Sequence, residues 1–523
     1  MKVQNKHDTV NYCKQSNFIK LEGSNVMDRD NYPRRTRNSR RKRNKHSFSK
    51  KMAFVSVCML SLILICGGIY AAYAIQHKPK EASTREDEQQ FEQKEASLLE
   101  KIRKSKNQDS FKTTEQEKKA GNVQTLFYEP AATNSIPQLP AIKTELTTLM
   151  ETAQKSNQKE TAVKLVGYVK LKKITEQVVS YQPVVETYTW NQEKADWSEK
   201  TETGKYTACV NQKTKQPLNL LDIFMNEPNI LAVQQVIQQK LLSESPDGNA
   251  IIDGVLNMPN ISLDGTAFTY YSDKISLDLP ENPTGKTEIT LPYKEIAGYV
   301  NPEFVDPTSI KDALPKPLDP KKKYISLTFD DGPNPETTPR LLDILKEKGV
   351  KATFFMLGQN VVKYESLVKK VAEDGHEVAS HSYSHPQLTS VDAQRVKEEV
   401  QNTDKVIYHA IGKLPTDFRP PYGAVNKDVA AIIGKPIIQW SVDSQDWQSN
   451  NAQSIIKRID DTAYNDTIVL MHDIHPETVN AVATVIDHLR EEGYEILPSK
   501  ELLGKKAKPL HMYYGSEDER LVQ

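Results

Sequence analysis

A chain of 523 residues has room for two or three separately packed domains. Its 69 Lys and Arg balance its 69 Asp and Glu, so no net field commits it to nucleic acid or any other charged partner. The balance hides segregation, because the first 51 residues end in the basic run RRTRNSRRKRNKHSFSKK.

The neighbour of that run decides how it reads. Residues 52–75, MAFVSVCMLSLILICGGIYAAYAI, carry no charge and exceed the roughly 20 residues that span a bilayer. Lys and Arg crowd the N-terminal side, which predicts a cytoplasmic tail over 1–51 and an extracellular, wall-facing remainder on a single-pass anchor. Ala72-Tyr73-Ala74 resembles a cleavage site and makes a removed signal peptide the alternative. The long apolar core and long basic flank favour the uncleaved anchor. The basic tail then serves orientation and lipid headgroups, and no nucleic acid is expected as a partner. Cys209 is the only cysteine beyond the span, which predicts no disulfide outside.

Residues 76–121 are charged and poor in apolar side chains, with Phe91, Leu98, Leu99 and Ile102 hinting at one helical face. They read as a stalk, partly helical and partly disordered. Residues 122–306 combine period-two runs such as VSYQPVVETYTW and FTYYSDKISLDLP with helical spacing in NILAVQQVIQQKLLSE. That predicts an α+β accessory domain with no cluster of acids, histidines or glycines that reads as catalytic. A proline- and lysine-rich linker, 307–323, follows.

From 324 to 503 short apolar runs alternate with amphipathic segments. YISLTF, KATFFML, HEVAS, DFRPP, PIIQWSV, TIVLMH and YEILPS read as seven strands, separated by helices such as TTPRLLDILKEKG and PETVNAVATVIDHLREEG. Regular alternation implies a parallel sheet. Seven strands without a Gly-rich phosphate loop favour a distorted (β/α)7 barrel over a doubly wound nucleotide fold. Residues 504–523 read as a tail.

Such a barrel carries its chemistry at the carboxyl ends of its strands. There the sequence places Asp330 and Asp331, His381 and His385, Arg419 and Tyr422, Asp443, Asp446 and Trp447, then His472 and Asp473. The pair in HSYSH starts just past a strand and is closed by Pro386, so one turn or a short helical start is expected. Alone, such a pair is as well explained by two hydrogen-bonded loop histidines. A catalytic metal needs a third protein ligand and an open position, and a carboxylate of FDDGP is the nearest candidate. Consecutive residues leaving a strand point in different directions, so one aspartate can ligate while its neighbour stays free as a base. Asp473 reads as a helix N-cap ahead of Pro476, and His475 as a loop residue.

TFDDGP, HSYSH, RPPYG, DSQDW and LMH, in this order, resemble the five motifs of the polysaccharide deacetylase family (carbohydrate esterase family 4). With tail, anchor, stalk and accessory domain, the chain is most similar to Gram-positive peptidoglycan N-acetylglucosamine deacetylases. The resemblance implies a divalent metal, Zn2+ foremost with Co2+, Mn2+ or Fe2+ as alternatives, on Asp331, His381 and His385. It implies Asp330 as general base held by Arg419, and the Tyr422 backbone N–H as an oxyanion donor. It further implies His472 as general acid tuned by Asp446, with Trp447 and Leu470 lining the pocket for the acetyl methyl. The implied reaction is N-deacetylation of wall N-acetylglucosamine, releasing acetate. Alternatives are deacetylation of chitin, poly-N-acetylglucosamine or O-acetyl xylan with the same site, or a non-catalytic wall-binding or sensor protein. Oligomeric state is not legible.

Overall fold

YISLTFD forms the strand Lys323–Asp330, which is buried from its second residue onward in the computed structural model. Apolar side chains on both faces are what a strand covered on both sides requires. The structure describes residues 13–15, 80–107, 113–130, 136–204, 208–314, 316–504 and 507–523.

The C-terminal half is α/β. Lys323–Asp330 pairs in parallel with Thr353–Met356 on one side and Thr467–His472 on the other, ending level at Asp330↔Phe355 and Asp330↔His472. Thr353–Met356 continues in parallel to Glu377–Ser380. Tyr494–Ile496 pairs with the start of the central strand, and Val442–Asp443 with Thr467–His472. Single bridges carry Ser380 to Phe418 and Phe418 to Ile437. Helices Thr338–Lys348, Ala452–Thr462 and Pro476–Glu491 pack Leu341, Ile455 and Val482 against Ile325, Leu327 and Phe329 of the strand.

Two expected strands come out differently. DFRPP is reduced to the bridge at Phe418, as two prolines remove amide donors. PIIQWSV divides into Ile437–Ile438 and Val442–Asp443, because the carbonyls of Ile438 and Gln439 accept bonds from the Arg419 guanidinium. The expected C-terminal tail contributes structure: His511–Tyr513 pairs in parallel with Ile437–Ile438 and antiparallel with Glu519–Leu521.

The accessory region holds two cores. In one, the strands Thr113–Ala120, Val123–Pro130, Val163–Lys173, Val178–Asn191 and Asp196–Thr203 lie in sheet order. Helix Leu139–Ser156 covers one face with Ile142 and Leu146, and helix Lys80–Asn107 covers the other with Leu98 and Ile102. Much of the expected stalk is therefore packed: Leu98 and Ile102, one turn apart, seat the helix, with Phe91 against Trp190 and Trp197. The second core gathers helices Glu227–Glu244 and Gly248–Asn257 with three short antiparallel strands, and it takes in Tyr408 of the C-terminal half. Cys209, expected unpaired, is disulfide-bonded.

The expected single-pass membrane location is corrected. Among the described residues no helix is long and apolar enough to cross a membrane. The segment 52–75 on which that expectation rested lies outside the described residues.

Candidate active site

Asp330 ends the central strand with 2% of its surface exposed. Its Oδ1 accepts a bond from Arg419 Nη1 at 2.7 Å, and Nη1 also reaches Thr328 Oγ1 at 2.7 Å. The remaining guanidinium nitrogens donate to Ile438 O (3.0 Å) and Gln439 O (2.9 Å), and the plane lies 4.1 Å over the Phe355 ring. Four bonds from all three nitrogens fix the guanidinium, so Asp330 is held in one orientation. Burial raises the Asp330 pKa against the opposing charges of Arg419 and His472.

The next residue, Asp331, lies in the left-handed region (φ 72). Asp331 Oδ1 sits 3.6 Å from both His381 Nε2 and His385 Nε2, while Asp330 Oδ2 stands 3.7 Å from His381 Nε2. One ligand atom from each of Asp331, His381 and His385 lies within 4.8 Å of the others. Asp331 Oδ1 is buried with no hydrogen-bond partner, which is costly for an anion unless a cation is meant to sit there. Two imidazoles and a carboxylate are a fitting donor set for a divalent transition metal. His381 Nδ1 bonds to Arg419 O at 2.7 Å, which places the hydrogen on Nδ1 and leaves the Nε2 lone pair for the ion. Burial foremost lowers the His381 pKa to about 3, so the ring is neutral and able to ligate.

HSYSH is not helical, contrary to expectation. Ser382 (φ 66) and His385 (φ 65) are both left-handed, and this irregular path brings the two rings together edge-on at 5.0 Å. The loop carbonyls of Ser382 and Tyr383 accept bonds from the amides of Gly358 and Gln359, each 3.0 Å. Its Tyr383 and Ser384 amides bond to Glu399, a residue no sequence pattern singled out.

Across the site, His472 Nδ1 bonds to Asp446 Oδ1 at 2.8 Å. Asp446 Oδ2 accepts from His472 N and Thr478 Oγ1, both at 2.7 Å. Burial opposes ionisation of Asp446, but these donors hold its pKa below the ordinary carboxylate value. Burial alone would lower His472. The hydrogen bond and charge of Asp446 outweigh it, with Asp330 and Asp331 adding, and push His472 up to about 9. His472 is therefore an imidazolium whose Nε2 faces away from its carboxylate partner.

Leu470 shares a strand face with His472, two residues on, and is 5% exposed. Trp447 is 54% exposed beside Asp446, and Tyr422, left-handed at φ 60, is 68% exposed with its ring 4.7 Å from His385. These two aromatic rings flank the site at the surface. His475 is the residue before helix Pro476–Glu491, as expected of a loop position, with its ring 5.8 Å from His472. Asp473 is not an N-cap. It is fully buried, accepts a bond from Thr338 Oγ1, and presses on Gly332 where a Cβ would collide with its carboxylate.

Residues 318–435 match the polysaccharide deacetylase family, and residues 97–311 match the peptidoglycan GlcNAc deacetylase N-terminal domain. The peptidoglycan-N-acetylglucosamine deacetylase PgdA of Listeria monocytogenes is 34% identical over 442 residues, 82% of this chain and 92% of that protein. The peptidoglycan-N-acetylmuramic acid deacetylase PdaC of Bacillus subtilis is 36% identical over 192 residues, 36% of this chain and 41% of that protein. A solved structure of PdaC has 36% identity and a TM-score of 0.34, covering 35% of this chain and 91% of that one.

Proposed function

The chain belongs to the polysaccharide deacetylase family, and on that premise we propose that it hydrolyses the N-acetyl group of N-acetylglucosamine in peptidoglycan, releasing acetate. The observation that carries this reading is the juxtaposition of an unpartnered Asp331 Oδ1, two histidine Nε2 atoms and a second, Arg-held carboxylate at the level end of two paired strands.

A divalent metal on Asp331, His381 and His385, with Zn2+ the first choice, would polarise the acetyl carbonyl and acidify a water. Asp330 would take that water's proton, which is supported by the fixing of Oδ1 by Arg419, the approach of Oδ2 to His381 and a pKa raised by burial. The Tyr422 backbone N–H serves as a donor to the developing oxyanion. The leaving amine needs a proton, and His472 carries one at neutral pH because Asp446 keeps it there. Leu470 and Trp447 supply apolar surface for the acetyl methyl, and Tyr422 and Trp447 bracket the sugar.

We read the catalytic half, 324–503, as a distorted barrel. The support is that 437–443 pairs with strands at both ends of the order, through Phe418 and His511–Tyr513 on one side and Thr467–His472 on the other. We take 122–306 as the accessory domain and 307–323 as the linker, and the Lys80–Asn107 helix and Thr113–Ala120 strand pack onto the former.

The test is acetate release from purified peptidoglycan, followed by mass spectrometry of the muropeptides. Loss of acetyl from glucosamine is the expected result. Loss from muramic acid would assign instead the activity named for PdaC, and no loss from either sugar would remove peptidoglycan as the substrate.

A further inference from the structure

The site's metal affinity depends on how firmly the three residues between His381 and His385 are held. These residues are Ser382, Tyr383 and Ser384, and they follow no regular helix or strand. On one side their carbonyls are fixed by the Gly358 and Gln359 amides. Gly358 leaves no room for a side chain there: an added Cβ would lie 2.5 Å from Tyr383 Cδ2 and 2.9 Å from Thr403 Oγ1. On the other side stands Glu399, 1% exposed, on helix Ala393–Ile411.

We propose that Glu399 is a positioning residue for the metal site: its carboxylate clamps the Tyr383–Ser384 backbone and so sets the separation of His381 and His385. The proposal rests on the reading of Asp331, His381 and His385 as metal ligands. Glu399 Oε2 accepts from the Tyr383 and Ser384 amides, both at 2.7 Å. Its Oε1 accepts from Ser384 Oγ at 2.6 Å and Arg395 Nη2 at 2.5 Å. Four donors converge on two oxygens, so both oxygens must be acceptors. A glutamine cannot substitute, because its amide nitrogen would face either two backbone N–H groups or the Arg395 guanidinium. Two adjacent, part-buried amides left without an acceptor are unfavourable. The loop would relieve that cost by moving, carrying the left-handed His385 away from His381. The helix bearing Glu399 is a rigid mount, capped at its start by Asp392 and closed by Gly412 in the left-handed region.

The experiment measures Zn2+ affinity by chelator competition and the visible absorption of the Co2+-loaded full chain. It compares wild type, His385→Ala, Glu399→Gln, Glu399→Gln combined with Arg395→Met, and Ser384→Ala. Glu399→Gln is expected to weaken Zn2+ binding roughly 10–100-fold and to alter the Co2+ spectrum. Adding Arg395→Met removes the opposing donor, lets the glutamine nitrogen face Ser384 Oγ, and restores part of the affinity. A purely structural role for Glu399 would give no such rescue. Ser384→Ala, at an exposed position, is expected to lose several-fold. Glu399→Gln within twofold of wild type, with an unchanged Co2+ spectrum, would overturn the proposal. Should that variant not fold, unchanged affinity and spectrum in Ser384→Ala overturn it equally. A wild-type chain that binds no Zn2+, or His385→Ala that binds as well as wild type, would instead sink the metal-site reading beneath it.

Discussion

Asp446 binds His472 twice, taking the ring Nδ1–H on Oδ1 at 2.8 Å and the backbone amide on Oδ2 at 2.7 Å. One carboxylate thereby fixes both the orientation of the imidazole and its charge. His472 has a raised folded-state pKa of about 9, so it is protonated below that pH and loses its proton as pH rises through it.

Asp446→Asn keeps the size of the side chain and removes the charge, at the cost of turning an amide nitrogen toward one of its donors. The alkaline limb of kcat should then move to lower pH by roughly 1–3 units, with the acid side little changed. A pH–rate profile on a soluble N-acetylglucosamine oligomer measures this; an unmoved alkaline limb would show that His472 is not the group protonating the amine.

Asp330→Asn should separate binding from chemistry. The amide can still face Arg419, yet it cannot accept a proton from water. Turnover should fall about 10²–10⁴-fold while Zn2+ affinity stays near wild type. Acetate release alongside chelator competition reads both, and wild-type turnover would dismiss Asp330 as base.

Metal removal should abolish activity and reduce stability together. Exhaustive chelation is expected to stop acetate release, with recovery on adding Zn2+. At metal concentrations 100 times Kd the folded state gains about 2.7 kcal/mol, seen as a rise in melting temperature. Asp331→Ala should show neither response. Activity that survives chelation would sink the metal mechanism.

His376 offers a pH test remote from the site. It precedes the strand Glu377–Ser380, and its Nδ1 accepts from Ala352 N at 3.2 Å. Burial, with Lys351 adding, lowers its pKa to about 4. The unfolded chain binds that proton first, so the stability it contributes is whole above pH 6.5 and is lost as pH falls toward 4. His376→Asn retains the acceptor without titrating. Its metal-free stability should start lower, through loss of the ring contact with Phe354, but fall less steeply across that window in denaturant titrations. Equal slopes would remove His376 as the source.

The strand ends of the catalytic half were legible because strands covered on both faces are uninterrupted apolar words, and the polar residue that stops each word marks its chemical end. Asp330, His381 and His472 were found that way. Glu399 was not, since KEEV on a helix reads as a charged outer face, and only the fold turns one of those acids inward. Asp473 misled through a local rule: an aspartate ahead of a proline resembles a cap, whereas Thr338 and Gly332, far off in sequence, enclose it. The segment after 76 reads as a stalk because it is sparse in apolar residues, yet Phe91, Leu98 and Ile102 seat its helix on the sheet.

Helix Ala393–Ile411 serves two masters. One end carries Glu399 to the metal loop; further along, Gln401 reaches Leu256 O at 2.8 Å, Lys405 meets Asp253 at 2.6 Å, and Tyr408 enters an accessory core. The catalytic half is thus not a cassette with a clean perforation at the linker. Cutting there would leave Tyr408 and Leu414 as an oily scar, on the same beam that carries the clamp on the metal-binding loop.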